Sequence, residues 1–165
     1  MTARYFYTKT CIESNFYPRP FKHNGATLPT AEHHFMRQKA LLMGDKATAR
    51  AIEQAKTPRA AKLLGRKVKP WNQARWDDSC DQIMEDILVS KFTASQHMTD
   101  YLLGILGPFY EASPRDKIWG IGISVEDAEN GVAHKPGSQN KLGKALDRAR
   151  VRIEAIANAT STQTA

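Results

Sequence analysis

The chain predicts a mainly α fold: a single compact multi-helical domain with a little β-structure near the N-terminus. Three observations carry that expectation. Helix-start signals recur, since Thr30, Asp45 and Thr57-Pro58 each stand just before a stretch of helix-forming sequence. Apolar residues fall three or four apart over two long stretches, one holding Ile83, Met84, Ile87, Leu88 and Phe92, the other running from Leu142 to Ile156. Turn formers crowd into residues 1–29, where Pro18, Pro20, Pro29 and Asn24-Gly25 argue against any helix. At 165 residues, 41% apolar and 25% charged, the chain is long enough for one domain with a real core.

Taken in order, Tyr5-Phe6-Tyr7 reads as a short strand and Asn24-Gly25 as a turn. Thr30 caps a first helix that ends near Gly44, and Asp45 caps a second around Ala49, Ile52 and Ala55. Thr57-Pro58 opens a third, short helix with Gly65 as its C-terminal cap. A longer helix starts at Asp77 or Asp78, just after Trp76, and another spans Ser95 to Leu106 before Gly107-Pro108 breaks it. Ile118 to Ile123 is expected to be a short strand or a packed loop. Ser124 to Asn140 is polar and long enough to serve as a binding loop or lid. The last helix runs from Asn140 to about Asn158, its inner side formed by Leu142, Ala145, Leu146, Ala149, Ile153 and Ile156. The domain is thus expected over residues 1–158, with a disordered Thr/Ser-rich tail over 159–165.

Cys11 and Cys80 do not make a disulfide framework, and the N-terminus has no apolar signal region, so a cytoplasmic or nuclear setting is expected. No apolar run is long enough to span a membrane. The net charge of +7 is concentrated. Between Gln54 and Trp76 stand Lys56, Arg59, Lys62, Arg66, Lys67, Lys69 and Arg75, with no acid. A second cluster runs from Lys135 to Arg152 with Asp147 as its one acid. Such clusters fit a polyanionic partner, nucleic acid or a phosphorylated small molecule, or else a solvated basic surface. His-x-x-x-His, Cys-x-x-Cys, Gly-x-Gly-x-x-Gly, the Walker loop and Gly-x-Ser-x-Gly are all absent. Zinc sites, dinucleotide-binding and P-loop folds and serine hydrolases of that type therefore have no support, and no metal or cofactor is expected.

The segment Thr30 to Ala40 holds the sharpest chemical signal. Glu32 and Lys39 are seven residues apart, close to two helical turns, so they point the same way, on one stripe with Met36 and Met43. A carboxylate and an amine on the apolar side of a helix are costly unless paired or put to use. The competing reading is an ordinary ion pair at a core edge.

These pieces occur in a fixed order: Ser14-Asn15-Phe16-Tyr17-Pro18, Thr30-x-Glu32-His33-x-Phe35, Gln38-Lys39-Ala40, Ala61-Lys62, Gly65-Arg66, Trp76 eight residues before Met84, Lys91-Phe92, Glu111-x-Ser113-x-x-Asp116-x-x-Trp119-Gly120-x-Gly122, and Asn140-x-Leu142-Gly143 ending at Arg150. No one motif is specific, but their succession over residues 5–153 resembles the NADAR family, also called YbiA-like. The resemblance implies a small, mainly helical N-glycosidase. Some members cleave phosphoribosylamino-pyrimidine intermediates of riboflavin biosynthesis, and others remove ADP-ribose from modified guanine in nucleic acid. Two stretches depart from the family. After Leu102-Leu103 the usual Thr-Gly pair is missing, in a segment one residue shorter, which bears on packing near Glu111. The usual Gly-x-x-Trp before the last Asn is replaced by Val132-Ala-His-Lys-Pro-Gly-Ser-Gln, which alters the lid and with it substrate choice.

Breaking an N-glycosidic bond builds oxocarbenium character on the sugar and negative charge on the leaving base. The resemblance makes Glu32 and Asp116 the acids, and Trp119 and Trp76 the rings that stack on base or adenine. Lys62 and Arg66 fit a phosphate or pyrophosphate. Ser14, Asn15, Phe16, Gly120 and Asn140 complete the binding candidates. Lys39 suggests a covalent route, attack on the ring-opened sugar to form an imine with Glu32 moving the proton. The competing route is direct attack by water with Glu32 or Asp116 as base. The leading substrate is ADP-ribosylated guanine, in nucleic acid or as a nucleotide. The alternatives are the riboflavin-pathway intermediate, a non-catalytic ADP-ribose or nucleotide sensor, and a purely structural nucleic-acid-binding protein.

Overall fold

A computed structural model describes residues 2–163, with side chains through Ala159. Its elements in chain order are β1 (Arg4–Phe6), β2 (Phe21–His23), β3 (Ala26–Leu28), α1 (Ala31–Leu42), α2 (Lys46–Glu53), α3 (Pro58–Gly65), α4 (Gln73–Phe92), α5 (Gln96–Leu103), β4 (Phe109–Glu111), α6 (Val125–Glu129) and α7 (Lys141–Gln163). The fold is mainly α, as the sequence predicts.

The N-cap signals act where they were read. The side-chain oxygens of Thr30, Asp45 and Thr57 accept from the backbone N–H of His33, Thr48 and Ala60 and start α1, α2 and α3. Asn24 and Gly25, at φ 45° and 78°, turn β2 back onto β3 in an antiparallel hairpin. Two residues with positive φ are what so tight a turn requires. The long helices α4 and α7 bury Met84, Ile87, Leu88 and Phe92 together with Leu142, Ala145, Leu146, Ala149 and Ile153 in one core. Helix α1 lies across α2, α3 and α4 and adds Phe35, Met36 and Ala40 to it.

Five boundaries differ from expectation. Helix α4 starts at Gln73, four residues early, because Asn72 accepts from Arg75 N at 2.9 Å and is the cap; Trp76 lies inside the first turn and a half. Gly65 does not cap α3 but is its last residue, and Arg66 caps it. Gly65 is there for space: a Cβ would stand 2.1 Å from Met36 Sδ. Helix α5 stops at Leu103, short of the expected Leu106, whereas Ile118 to Ile123 takes one of its two expected forms, a packed loop whose Ile121 and Ile123 are buried. The polar connection holds the short helix α6, capped by Ser124. Helix α7 continues through Gln163, past the expected end near Asn158, and the last two residues of the expected tail lie outside the described residues.

Strand β4 went unread in the sequence. Three residues are too few for periodicity to register. Its partner is β1, parallel to it and about a hundred residues away, with Phe6 opposite Glu111. That pairing, with α7 packed behind β4, places Glu111 and the loop after it beside the N-terminus of α1. No described helix is long and apolar enough to cross a membrane.

Candidate active site

Four pieces of chain converge on the N-terminal end of α1. The loop Ser14–Phe16 is tied to α1 by its own backbone, since Glu32 N donates to Asn15 O at 2.9 Å. Buried Lys91 of α4 pins the same loop from behind: its Nζ donates to Ile12 O at 2.6 Å and to Ser14 O at 2.9 Å. Helix α3 contributes Lys62 and Arg66, and β4 with its following loop contributes Glu111, Ser113 and Asp116.

Two adjoining cavities result. The larger, about 400 Å³, is walled by Lys9, Lys62, Arg66 and Arg115 among others, a size usual for a small-molecule site. The smaller, about 150 Å³, is walled by Asn15, Glu32, Phe35, Met36, Trp119 and Leu142. Ser14, Phe16, Lys62, Glu111 and Asp116 line both and form the junction.

Three carboxyl groups therefore face one space. Burial pushes the Glu32 carboxyl up to about 7, with Lys62 and Lys39 pulling it back and Asp116 pushing further. Burial also lifts Glu111 to about 8, aided by Asp116 and opposed by Lys62. Asp116 is oriented by its Oδ1, which accepts from the backbone N–H of both Ile118 and Trp119 at 2.8 Å. Two buried atoms on the cavity wall have no hydrogen-bond partner among the described residues, Glu111 Oε2 and Asn15 Oδ1. Buried polar atoms are normally satisfied, so a wall with two open positions is shaped for a polar ligand.

The structure thus brings together Ser14, Asn15, Phe16, Glu32, Lys62, Arg66, Asp116 and Trp119. Four other candidates stand off the cavity walls. Asn140, at φ 49°, clamps β4: its Oδ1 accepts from Glu111 N at 3.1 Å and its Nδ2 donates to Phe109 O at 2.9 Å. Gly120 allows the Glu111–Asp116 loop to close, since a Cβ would stand 2.7 Å from Glu111 O and 2.9 Å from Asp116 O. Trp76 packs on Phe35, with ring centroids 5.2 Å apart. Lys39 makes no ion pair with Glu32 among the described residues. Its Nζ lies 4.7 Å from the Trp71 ring and 5.4 Å from the Trp76 ring, and burial lowers its pKa while Glu32 raises it.

The residue missed in the sequence is Glu111. The spacing of Asp116 three residues before Trp119 was visible, but Glu111, a lone acid in a short apolar run, gives no sign that its carboxyl is desolvated. Among the described residues no cluster of three His, Cys, Asp or Glu side chains is placed to hold a metal ion.

The NADAR domain family matches residues 5–154, and the chain belongs to that family. It is similar to protein irg-1 of Caenorhabditis elegans, 32% identical over 162 residues, 88% of this chain and 76% of that protein. It is 36% identical over 141 residues to N-glycosidase R617 of Acanthamoeba polyphaga mimivirus, 82% of this chain and 83% of that one. The NMR structure of the Escherichia coli protein YbiA superposes with a TM-score of 0.76 at 28% identity, covering 96% of this chain and 88% of that chain. A chloroplastic riboflavin biosynthesis protein of Zea mays is 33% identical over 127 residues, 68% of this chain but 20% of that protein.

Proposed function

We propose that this NADAR-family chain is an N-glycosidase that releases ADP-ribose from modified guanine, in nucleic acid or as a nucleotide. The N-glycosidase activity is the one its mimiviral relative is named for. The observation that carries the substrate is the junction of the cavities. Acids and Trp119 wall the smaller space, and four cations wall the larger. A base fits the first and a diphosphate the second.

In this reading the base lies against Trp119 with Asn15 Oδ1 open to its N–H groups. Glu32, protonated near neutral pH, gives its proton to the departing base nitrogen as the bond to the anomeric carbon breaks. Asp116 faces the positive charge developing on the sugar and takes the proton of the attacking water. Glu111, also protonated, donates a hydrogen bond to a sugar hydroxyl. Ser14 and Phe16 close the junction, and Lys62 and Arg66 hold phosphate.

Lys39 offers the covalent variant of the same reaction. Its amine attacks the anomeric carbon of the ring-opened sugar, the base leaves with a proton supplied through Glu32, and water hydrolyses the resulting imine. Its lowered pKa and its coupling to Glu32 support that route, and its place against Trp71 and Trp76 requires a swing towards the cavity. Borohydride trapping separates the routes. An adduct on Lys39, lost in Lys39→Arg together with turnover, establishes the imine. Full activity in Lys39→Arg establishes direct attack by water.

The test of substrate is mass-spectrometric release of ADP-ribose from ADP-ribosylated guanine by wild type and not by Glu32→Ala. The maize relative favours the riboflavin-pathway intermediate as the second reading. Release from that phosphoribosylamino-pyrimidine, with none from ADP-ribosylated guanine, would replace the first reading with the second.

A further inference from the structure

The sequence carries two basic clusters, and the fold treats them differently. Most of the C-terminal one is paired, all but exposed Lys135 and Lys144. Lys141 pairs with Asp81 at 3.2 Å, Arg148 with Glu85 at 2.7 Å, Arg150 with Asp147 at 3.0 Å, and Arg152 with Glu85 and Asp86 at 2.9 and 2.7 Å. The cluster between Gln54 and Trp76 has no ion pair among the described residues, and all but half-buried Lys62 of its seven cations are exposed. Pairing, mostly to acids on α4, uses most of the C-terminal cluster within the fold. The cluster between Gln54 and Trp76 keeps its charge open to solvent.

Trp71 stands in the middle of that open cluster, on the connection between α3 and α4, and is 43% exposed. Though exposed, Trp71 is held on several sides. Its Nε1 donates to Gln73 Oε1 at 3.1 Å, Lys39 Nζ lies over its ring, and the Trp76 ring is 6.0 Å away. Lys69 N donates to Asp45 Oδ2 at 3.0 Å, and buried Val68 anchors the same segment. A continuous series of rings joins this surface to the smaller cavity: Trp71 to Trp76, Trp76 to Phe35 at 5.2 Å, and Phe35 to Trp119 at 4.9 Å. Trp119 is a wall of that cavity.

We propose that Trp71 is a stacking platform for a nucleotide flanking the modified guanine, with exposed Lys67, Lys69 and Arg75 on the adjoining phosphates, so that this chain takes single-stranded nucleic acid. This rests on the N-glycosidase reading of the neighbouring cavity. The chemistry is that of single-strand binding: a held aromatic face for a base, cations for the backbone, and little sequence preference. A duplex keeps its base faces stacked and offers Trp71 nothing. An acidic protein would answer the charge but leave the ring series without a role.

The test is equilibrium binding, read by fluorescence anisotropy, of a short labelled single-stranded oligonucleotide that carries no ADP-ribose. Turnover plays no part, so the result stands apart from the glycosidase assay. Wild type is expected to bind, and Trp71→Ala to bind about ten- to a hundredfold more weakly. Trp71→Phe, which keeps a ring, restores most of the affinity and also checks that the segment folds. Lys67→Ala with Lys69→Ala is expected to reduce the slope of log affinity against log salt by about 1.4, the share of two phosphate contacts on a single strand. Three results would overturn the proposal. Two are no binding by wild type and equal binding by Trp71→Ala. The third is loss of affinity for free ADP-ribose, by calorimetry, as large as the loss for the oligonucleotide, which would make Trp71 a wall of the small-molecule site. Oligonucleotide binding without base release in the separate assay would sink the glycosidase reading and leave the platform standing.

Discussion

Glu32 and Glu111 have the same side chain and share a cavity, yet the proposed reaction gives them different tasks. Glu32 lines only the smaller space, beside Trp119, whereas Glu111 lines both. Removing the donor at Glu32 with Glu32→Gln is expected to cost about 10²–10⁴ in kcat, measured by steady-state base release. Glu111→Gln is expected to stay near the wild-type rate at neutral pH, because an amide replaces one hydrogen-bond donor with another, while Glu111→Ala loses activity. The pH profile follows from the same groups. Glu32 is protonated below about 7 and Glu111 below about 8, so kcat falls as pH rises through that range. A rate that kept rising from pH 7 to 9 would remove Glu32 from the acid's role. At this scale the sequence offered the spacing of Glu32 and Lys39 correctly and their relation incompletely. Two turns of helix put both on one side of α1. But what lies over Lys39 is a pair of tryptophans from a segment more than thirty residues on, and what surrounds Glu32 is a loop near the N-terminus and a strand far along the chain.

The elements act on the site through a few tight contacts. Loop Ser14–Phe16 has no regular structure to hold it, and Lys91 fixes it from α4. Burial lowers the Lys91 pKa to about 7, and either protonation state still donates to the two carbonyls. Lys91→Met leaves those carbonyls without a donor in the core. We expect a loss of about 2–4 kcal/mol, seen as a lower denaturant midpoint, and a larger KM because Asn15 and Phe16 are no longer placed. Gly120 does the same for the other wall. In Gly120→Ala the new methyl meets backbone oxygens of Glu111 and Asp116, which cannot swing away as a side chain can. The carboxyl groups must move, and kcat should fall by more than tenfold with only a modest loss of stability, about 1–3 kcal/mol. A wild-type kcat in a folded Gly120→Ala protein would show that the loop's position does not matter. Cap residues made most helix starts legible, because a cap is a local bond between near neighbours. Asn72 was overlooked since the apolar spacing of α4 begins only near Cys80, and β4 was overlooked since strand pairing is not local.

Across the whole molecule, buried ionisable groups make stability depend on pH. A carboxyl whose pKa rises on folding contributes stability that is complete below its unfolded value, about 4.3, and is lost as pH rises through the folded value. Glu32 and Glu111 both belong to this class. Buried histidines such as His34, lowered to about 4 by burial, act in the opposite direction over part of the same range. Comparing wild type with Glu111→Gln cancels the histidines. The variant is expected to gain in Tm relative to wild type as pH rises from about 5 to 8, measured by scanning calorimetry. A constant difference would mean that Glu111 titrates normally and is not desolvated.

By itself the sequence determined the helical class, the N-caps of α1, α2 and α3, the turn at Asn24-Gly25 and the order of motifs that marks the family, because each is a matter of near neighbours or of periodicity. It also determined that the chain would be basic in two places. Only the tertiary structure decided which of those places stays charged, since that depends on whether acids on α4 lie opposite. It alone decided that Glu111 Oε2 is buried without a hydrogen-bond partner and that Asn140 and Gly120 hold the strand and loop carrying Glu111 and Asp116. The depth of a carboxyl and the closeness of two backbones depend on segments far apart in the chain, and no local pattern records them.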